Sequence, residues 1–174
     1  MGKSSSHPAW NVYDLYRTAR LNVKYYSARL TYLERLNFVM ELILLISAPS
    51  SAVAGLFFWD TPIGSKIWKI LGIIAAVVAV SKPLLKLTEK IKQFEETITG
   101  YQILEHDLSV IKISIEEKQS YDKSLQKEFK KALERKRVLV TKCPEHREYK
   151  KLKNRCTLEV SQELPVDIFF IPKR

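Results

Sequence analysis

The residues able to do chemistry in this 174-residue chain are few, and the most pointed is a carboxylate in an apolar stretch. Glu41 lies within LNFVMELILLISAPSSAVAGLFFW (36–59), where a charge needs a cation, an interface or a polar lumen. At ~100° per residue, Asn37, Glu41, Ala48, Ala52 and Gly55 share one helical sector of about 80°. Such a stripe either lets helices approach closely or, through Glu41, faces water. Cys143, His146 and Cys156 could supply three metal ligands, but a structural zinc site wants four, commonly in tighter pairs. His106 has no nucleophile or second ligand in its neighbourhood of the sequence. No glycine-rich phosphate loop and no Ser/His/Asp arrangement is present. The expectation is therefore no catalytic residue, no metal and no cofactor, and a protein that is not an enzyme.

The elements that must hold Glu41 follow from the apolar runs. Residues 36–59 give 24 positions with one charge, about 36 Å at ~1.5 Å per residue and enough for a hydrocarbon core of ~30 Å. IWKILGIIAAVVAVSKPLL (67–85) is a second span, with Lys69 and Lys82 near its ends where ammonium groups reach headgroups. Trp59 and Trp68 flank the connection at the depth of an aromatic belt. Asp60-Thr61-Pro62-Ile63-Gly64-Ser65 reads as a turn, so 60–66 is predicted as an external turn between two spans.

Charge sets the orientation. The formal charge is +10; Lys and Arg number six in residues 1–35, 21 in residues 82–174 and two, Lys66 and Lys69, between. That asymmetry places both termini in the cytoplasm of a multi-pass protein of the bacterial inner membrane. The first apolar run starts near residue 36 behind a charged helical pattern, so no cleavable signal peptide is expected. Two cysteines make no disulfide framework.

Folding the hairpin about residues 62–63 sets Glu41 opposite Lys82 and Lys86, and an ion pair with one of them at the membrane border is the simpler reading. The other is a pore-lining acid. Pro49 removes a backbone donor inside the first span and is either an ordinary kink, eased by Ser47, Ser50 and Ser51, or a hinge. Gly72, Ala75, Ala76 and Ala79 give small-xxx-small spacing for span packing.

The flanking segments are helical arms. After a disordered 1–10, residues 11–35 carry Val12, Tyr16, Ala19, Val23, Tyr26, Leu30 and Leu33 at steps of three and four, a coiled-coil-like seam running into the first span. Residues 86–119 continue that spacing, with Leu84, Leu87, Ile91, Phe94, Ile98 and Tyr101, then Leu104, Leu108, Ile111 and Ile115 after a stammer. Residues 120–142, capped by Ser120 or Asp122, form a third helix with a narrow face of Leu125, Phe129, Leu133 and Val140. Its remainder is basic, with Lys130, Lys131, Arg135, Lys136 and Arg137 as a surface for anionic lipid or an acidic partner. Too few aromatics are interleaved for nucleic acid to be favoured. Residues 143–174 read as an irregular or extended tail. The fold class is all-α, a two-span transmembrane hairpin with long cytoplasmic arms.

The basic arm ARLNVKYYSARLTYLERLN entering a span, the short turn, the small-residue span and the long helix with EETITGYQILEHDLSVI together resemble the SLATT family, over residues 11–140. That resemblance implies a membrane effector of a prokaryotic anti-phage system. Such an effector would oligomerise to form a pore or disrupt the inner membrane, partnered by a nucleotide-sensing or nucleotide-synthesising protein. Two alternatives are a non-conducting membrane-anchored scaffold and a constitutive two-span cation channel. For the latter, Trp59-Asp60-Thr61-Pro62 resembles only poorly the acidic selectivity motif of mitochondrial-type calcium uniporters. Ile63 stands where that motif has Glu, and Asp60 reads as a turn residue.

Overall fold

The computed structural model describes residues 7–48, 61–145 and 147–172, and among them every regular element is helical. In order these are α1 (Ala9–Ser47), α2 (Pro62–Leu85), α3 (Leu87–Lys118), α4 (Lys123–Thr141) and α5 (Lys150–Glu163), followed by a 3-10 turn at Val166–Ile168. The chain divides into two compact units, Met1–Arg29 with Gln93–Arg174, and Leu30–Lys92.

Local chemistry explains each boundary. His7 opens α1, its Nδ1 accepting from the Ala9 amide, and nothing interrupts the helix through Tyr32–Met40. Thr61 caps α2: its Oγ1 accepts from the Gly64 amide at 3.0 Å, with Pro62 at the first helical position. A hydroxyl cap followed by proline is a helix start, because proline lacks only an amide that would be orphaned there. This corrects the predicted external turn. Pro62–Lys66 belong to α2, and Gly64 is helical without a positive φ. Pro83 withholds an amide from the last turn of α2. Three residues later the helix gives way at Lys86, which takes a left-handed φ of 47° before α3 starts. Asp122, rather than Ser120, caps α4 by accepting from the Leu125 amide at 2.8 Å.

The first unit has a continuous core. α3 buries Phe94, Ile98, Tyr101, Leu104, Leu108, Ile111 and Ile115, the stripe its spacing predicts. Leu84 is not part of that stripe, being 78% exposed at the end of α2. α1 buries Val12, Ala19, Val23, Tyr26 and, in its continuation, Leu33 of its predicted seam, and also Ala9, Tyr13, Leu15 and Tyr25. A face that wide belongs to a bundle helix rather than a two-stranded seam, which corrects the coiled-coil reading of that arm. α4 packs through Leu125, Ala132 and Leu139, while Leu133 and Val140 are exposed. The predicted narrow face is thus rotated by part of a turn. At the α3–α4 contact a Cβ on Gly100 would overlap the Leu139 Cδ2 methyl, so a larger residue there requires that leucine to shift.

The predicted extended tail is overturned. α5 is a 14-residue helix, with Cys156 and Val160 buried four residues apart. Its start at Tyr149 carries no side-chain cap hydrogen bond, so the usual start signal is missing from the sequence.

Candidate membrane segment and polar border

In the unit Leu30–Lys92, α2 is apolar on every side but buries only Gly64 and Ala75. Ile63, Ile67, Ile70, Ile73, Ile74, Val77, Val80, Leu84 and Leu85 are exposed, Ile73 at 67%. Among the described residues α2 is the one helix long and apolar enough to cross a membrane. The end of α1 behaves similarly, exposing Phe38, Val39, Leu42 and Leu45. A helix that is hydrophobic all round is normally buried or in lipid, and a contiguous apolar surface of this extent is rare on a protein in water.

One polar cluster interrupts this surface. Lys82 Nζ donates to Glu41 Oε1 at 2.9 Å, and Asn37 Nδ2 donates to the same oxygen at 3.0 Å. Asn37 and Glu41 are four residues apart on α1, so they share its face. Lys86, the other ion-pair candidate, meets Glu89 at 3.6 Å instead. Ala48 directly follows α1, and Ser47 Oγ bonds back to the Ile43 carbonyl at 2.6 Å. Ala52 and Gly55 of the predicted stripe, the hinge Pro49, and Ser50, Ser51, Trp59 and Asp60 lie outside the described residues. Of the span-packing set Ala75 is buried, whereas Gly72, Ala76 and Ala79 are exposed. A Cβ at Gly72 would meet nothing within 4 Å. The structure therefore uses Ala75 for contact inside this unit and leaves the Gly72–Ala76 pair open.

In the other unit, the basic residues of α4 have separate fates. Arg135 pairs with Asp107 of α3, Lys131 with Glu128 at 2.9 Å and Arg137 with Glu134 at 3.8 Å, while Lys130 is exposed and Lys136 half-buried. His106 is exposed on α3. Cys143 and Cys156 are free thiols, and His146 lies outside the described residues. Among the described residues no group of three His, Cys, Asp or Glu is placed to hold a metal ion.

A cluster that the sequence reading missed sits around Tyr25 and Tyr26. Tyr25 OH donates to Glu145 Oε2 at 2.8 Å and accepts from the Tyr149 amide at 2.9 Å. Arg29 Nη2 reaches Glu145 Oε1 at 2.6 Å. Tyr26 stacks on Tyr101 with centroids 5.7 Å apart, and its hydroxyl lies 2.9 Å from Cys143 Sγ. Burial, then the Cys143 contact, pushes the Tyr26 phenol well above its usual range. The adjacent pair of tyrosines was the available signal, since neighbours on a helix point about 100° apart and can both be buried only at a crowded junction.

Comparison with family models, with curated proteins and with solved structures returns no match to this chain.

Proposed function

We propose that the chain is a two-span membrane effector of the bacterial inner membrane, with residues 36–59 and α2 as the spans and both termini in the cytoplasm. It oligomerises through its helices and permeabilises or disrupts the bilayer when a nucleotide-sensing or nucleotide-synthesising partner signals. The single observation that carries the membrane part is α2, apolar all round with only Gly64 and Ala75 covered. In water that surface would drive aggregation; in lipid it costs nothing. Lys82 and Glu41 then form a neutral pair at the border, where the lysine stem can reach headgroups. The effector role rests on the likeness of residues 11–140 to SLATT proteins.

The test is dye entry and membrane potential in cells expressing the chain with its trigger. Leakage on induction is expected, and intact membranes under every inducing condition would reject the effector. Glu41→Ala distinguishes the two roles of the carboxylate: unchanged leakage leaves it a border ion pair, and altered ion selectivity makes it a lining residue.

A non-conducting scaffold has one specific observation in its favour. α3 exposes Ile103, Val110 and Ile113, spaced by seven and three along its outer side, the spacing of an unpartnered helix face. That reading expects the full chain to capture a partner without conductance, which liposome recordings would distinguish.

A further inference from the structure

α5 and the residues after it are held differently from the rest of their unit. α5 runs antiparallel to α1 and touches it through charge. Arg17 Nη2 donates to Ser161 Oγ at 3.3 Å, and Arg20 Nε to Glu163 Oε2 at 3.3 Å. Lys24 Nζ meets Glu163 Oε1 at 2.6 Å and Glu159 Oε2 at 3.4 Å. Only Cys156 and Val160 of α5 are buried, and a groove of about 260 Å³ opens between the helices beside Thr18, Leu21, Thr157 and Val160. Beyond α5, Phe169 stacks on Tyr13 with centroids 4.6 Å apart, and Tyr13 OH donates to the Phe170 carbonyl. The loop before α5 is fixed independently, because Tyr25 and Arg29 grip Glu145 and Tyr26 meets Cys143. Residues 150–172 can therefore leave α1 while the loop and the α1–α3–α4 core stay in place.

The balance of forces allows this. Exposed ion pairs are worth about 0.2–1 kcal/mol each and weaken with salt. Arg20 also reaches Glu105 of α3 at 3.2 Å and keeps that partner when the strap leaves. Release therefore uncovers Cys156, Val160 and Phe169 and, of the contacts made by Arg17, Arg20 and Lys24, breaks only those to Ser161, Glu159 and Glu163.

We propose that residues 150–172 are a releasable strap, and that the α1 face beneath them is a docking face for an amphipathic helix carrying carboxylates along one row, with α5 and its Glu159 and Glu163 as the built-in occupant. Arg17, Arg20 and Lys24 stand at intervals of three and four, one row along a helix. α5 shows what that row accepts: Glu159, Ser161 and Glu163 toward the cations, and Cys156 and Val160 toward the apolar floor. A partner helix of the same pattern would displace the strap. The inference stands whether or not α2 enters a bilayer.

Cys156 reports the strap, being 2% exposed on its inner side, and Cys143 on the gripped loop serves as the internal comparison. In the full chain, thiol labelling resolved by mass spectrometry should speed up about tenfold at Cys156 as salt rises from about 0.05 to about 1 M, with Cys143 unchanged. Glu163→Lys should do the same at low salt, and adding Lys24→Glu should restore slow labelling. A peptide of residues 148–172 carrying Cys156→Ser should speed Cys156 labelling saturably in trans, and the same peptide with Glu159→Lys and Glu163→Lys should not. Labelling at Cys156 that ignores salt and Glu163→Lys overturns the strap. So does labelling of both thiols together with loss of helical circular dichroism. Opening by salt with no response to the peptide that keeps Glu159 and Glu163 overturns the docking face.

Discussion

α2 and α3 follow one another along the chain, and both are long helices rich in Ile and Leu, yet they spend those residues in opposite ways. α3 concentrates them on one stripe and buries Leu87, Phe94, Ile98, Tyr101, Leu104, Leu108, Ile111 and Ile115. α2 spreads them around its circumference and buries Gly64 and Ala75. The difference lies in composition as well as arrangement: α2 holds three charged residues, Lys66, Lys69 and Lys82, in 24 positions, whereas α3 carries eleven in 32 and sets its apolar ones between them. A stripe can be covered by neighbouring helices of one chain, whereas a full circumference needs a surrounding medium. α3 thus derives its stability from the fold, and α2 must obtain its apolar environment from outside the described residues.

Truncation separates the two most sharply. Leu108→Ala should cost about 2–5 kcal/mol in denaturant unfolding, because a fully buried leucine leaves a cavity. Ile73→Ala, at a 67% exposed position, should change the same measurement by less than about 0.5 kcal/mol. Equal losses would mean that α2 is covered by protein, and the contrast would collapse.

A charge at the same α2 position probes the outside medium. Ile73→Lys should disfavour membrane insertion by about 3 kcal/mol at mid-helix. After carbonate extraction the variant should shift from the pellet to the supernatant. Ile113→Lys on the exposed side of α3 should leave the distribution unchanged. If both variants stay in the pellet, α2 is not what holds the chain to the membrane.

Gly100→Ala tests how tightly α3 is packed. The added methyl would overlap Leu139 Cδ2, and the leucine must swing aside, for a loss of about 1–3 kcal/mol seen as a lower thermal midpoint. Leu139→Ala in the same chain should recover part of it, since the colliding atoms are gone. No recovery would place the strain in the backbone instead.

How much of this could be read from the sequence follows the same line. The α3 stripe was legible because eight buried positions repeat the helical period, and the apolar character of α2 because no polar side chain interrupts residues 70–80. α5 was not legible. Two buried residues, Cys156 and Val160, make too short a stripe, and no side chain caps its start at Tyr149. Thr61-Pro62 was misread because proline and glycine mark turns and helix starts alike, and only the Thr61–Gly64 hydrogen bond separates the two. The Glu41–Lys82 pair was foreseen as one of two partners, and the other candidate, Lys86, lies past the end of α2 with a left-handed φ and pairs with Glu89. The Tyr25–Glu145–Arg29 cluster joins positions more than a hundred residues apart in the chain; the adjacent tyrosines mark one side of it, but nothing in a single sequence names Glu145 as the partner.

The smallest expected effect concerns Tyr13 and tests whether the interior that α3 helps to build is dry. Tyr13 is fully buried, and burial, with the Glu116 carboxylate adding to it, pushes its phenol up to about 12. A folded-state pKa above the unfolded value of roughly 10 means that the folded chain holds this proton more tightly. The contribution is complete below about pH 10 and is lost as the pH rises through that interval toward 12. At neutral pH Tyr13→Phe removes only the hydrogen bond to the Phe170 carbonyl, about 1 kcal/mol. The variant should also lose less stability than the parent between about pH 9 and 11, with Tyr26, likewise raised, retaining a share of the alkaline limb. Denaturant midpoints at the two pH values, read beside tyrosinate absorbance, check both statements. A Tyr13 that titrates near 10 in the folded chain would mean that the Phe169 clasp admits water, and the first unit would then be no better sealed around α1 than α2 is around its own circumference.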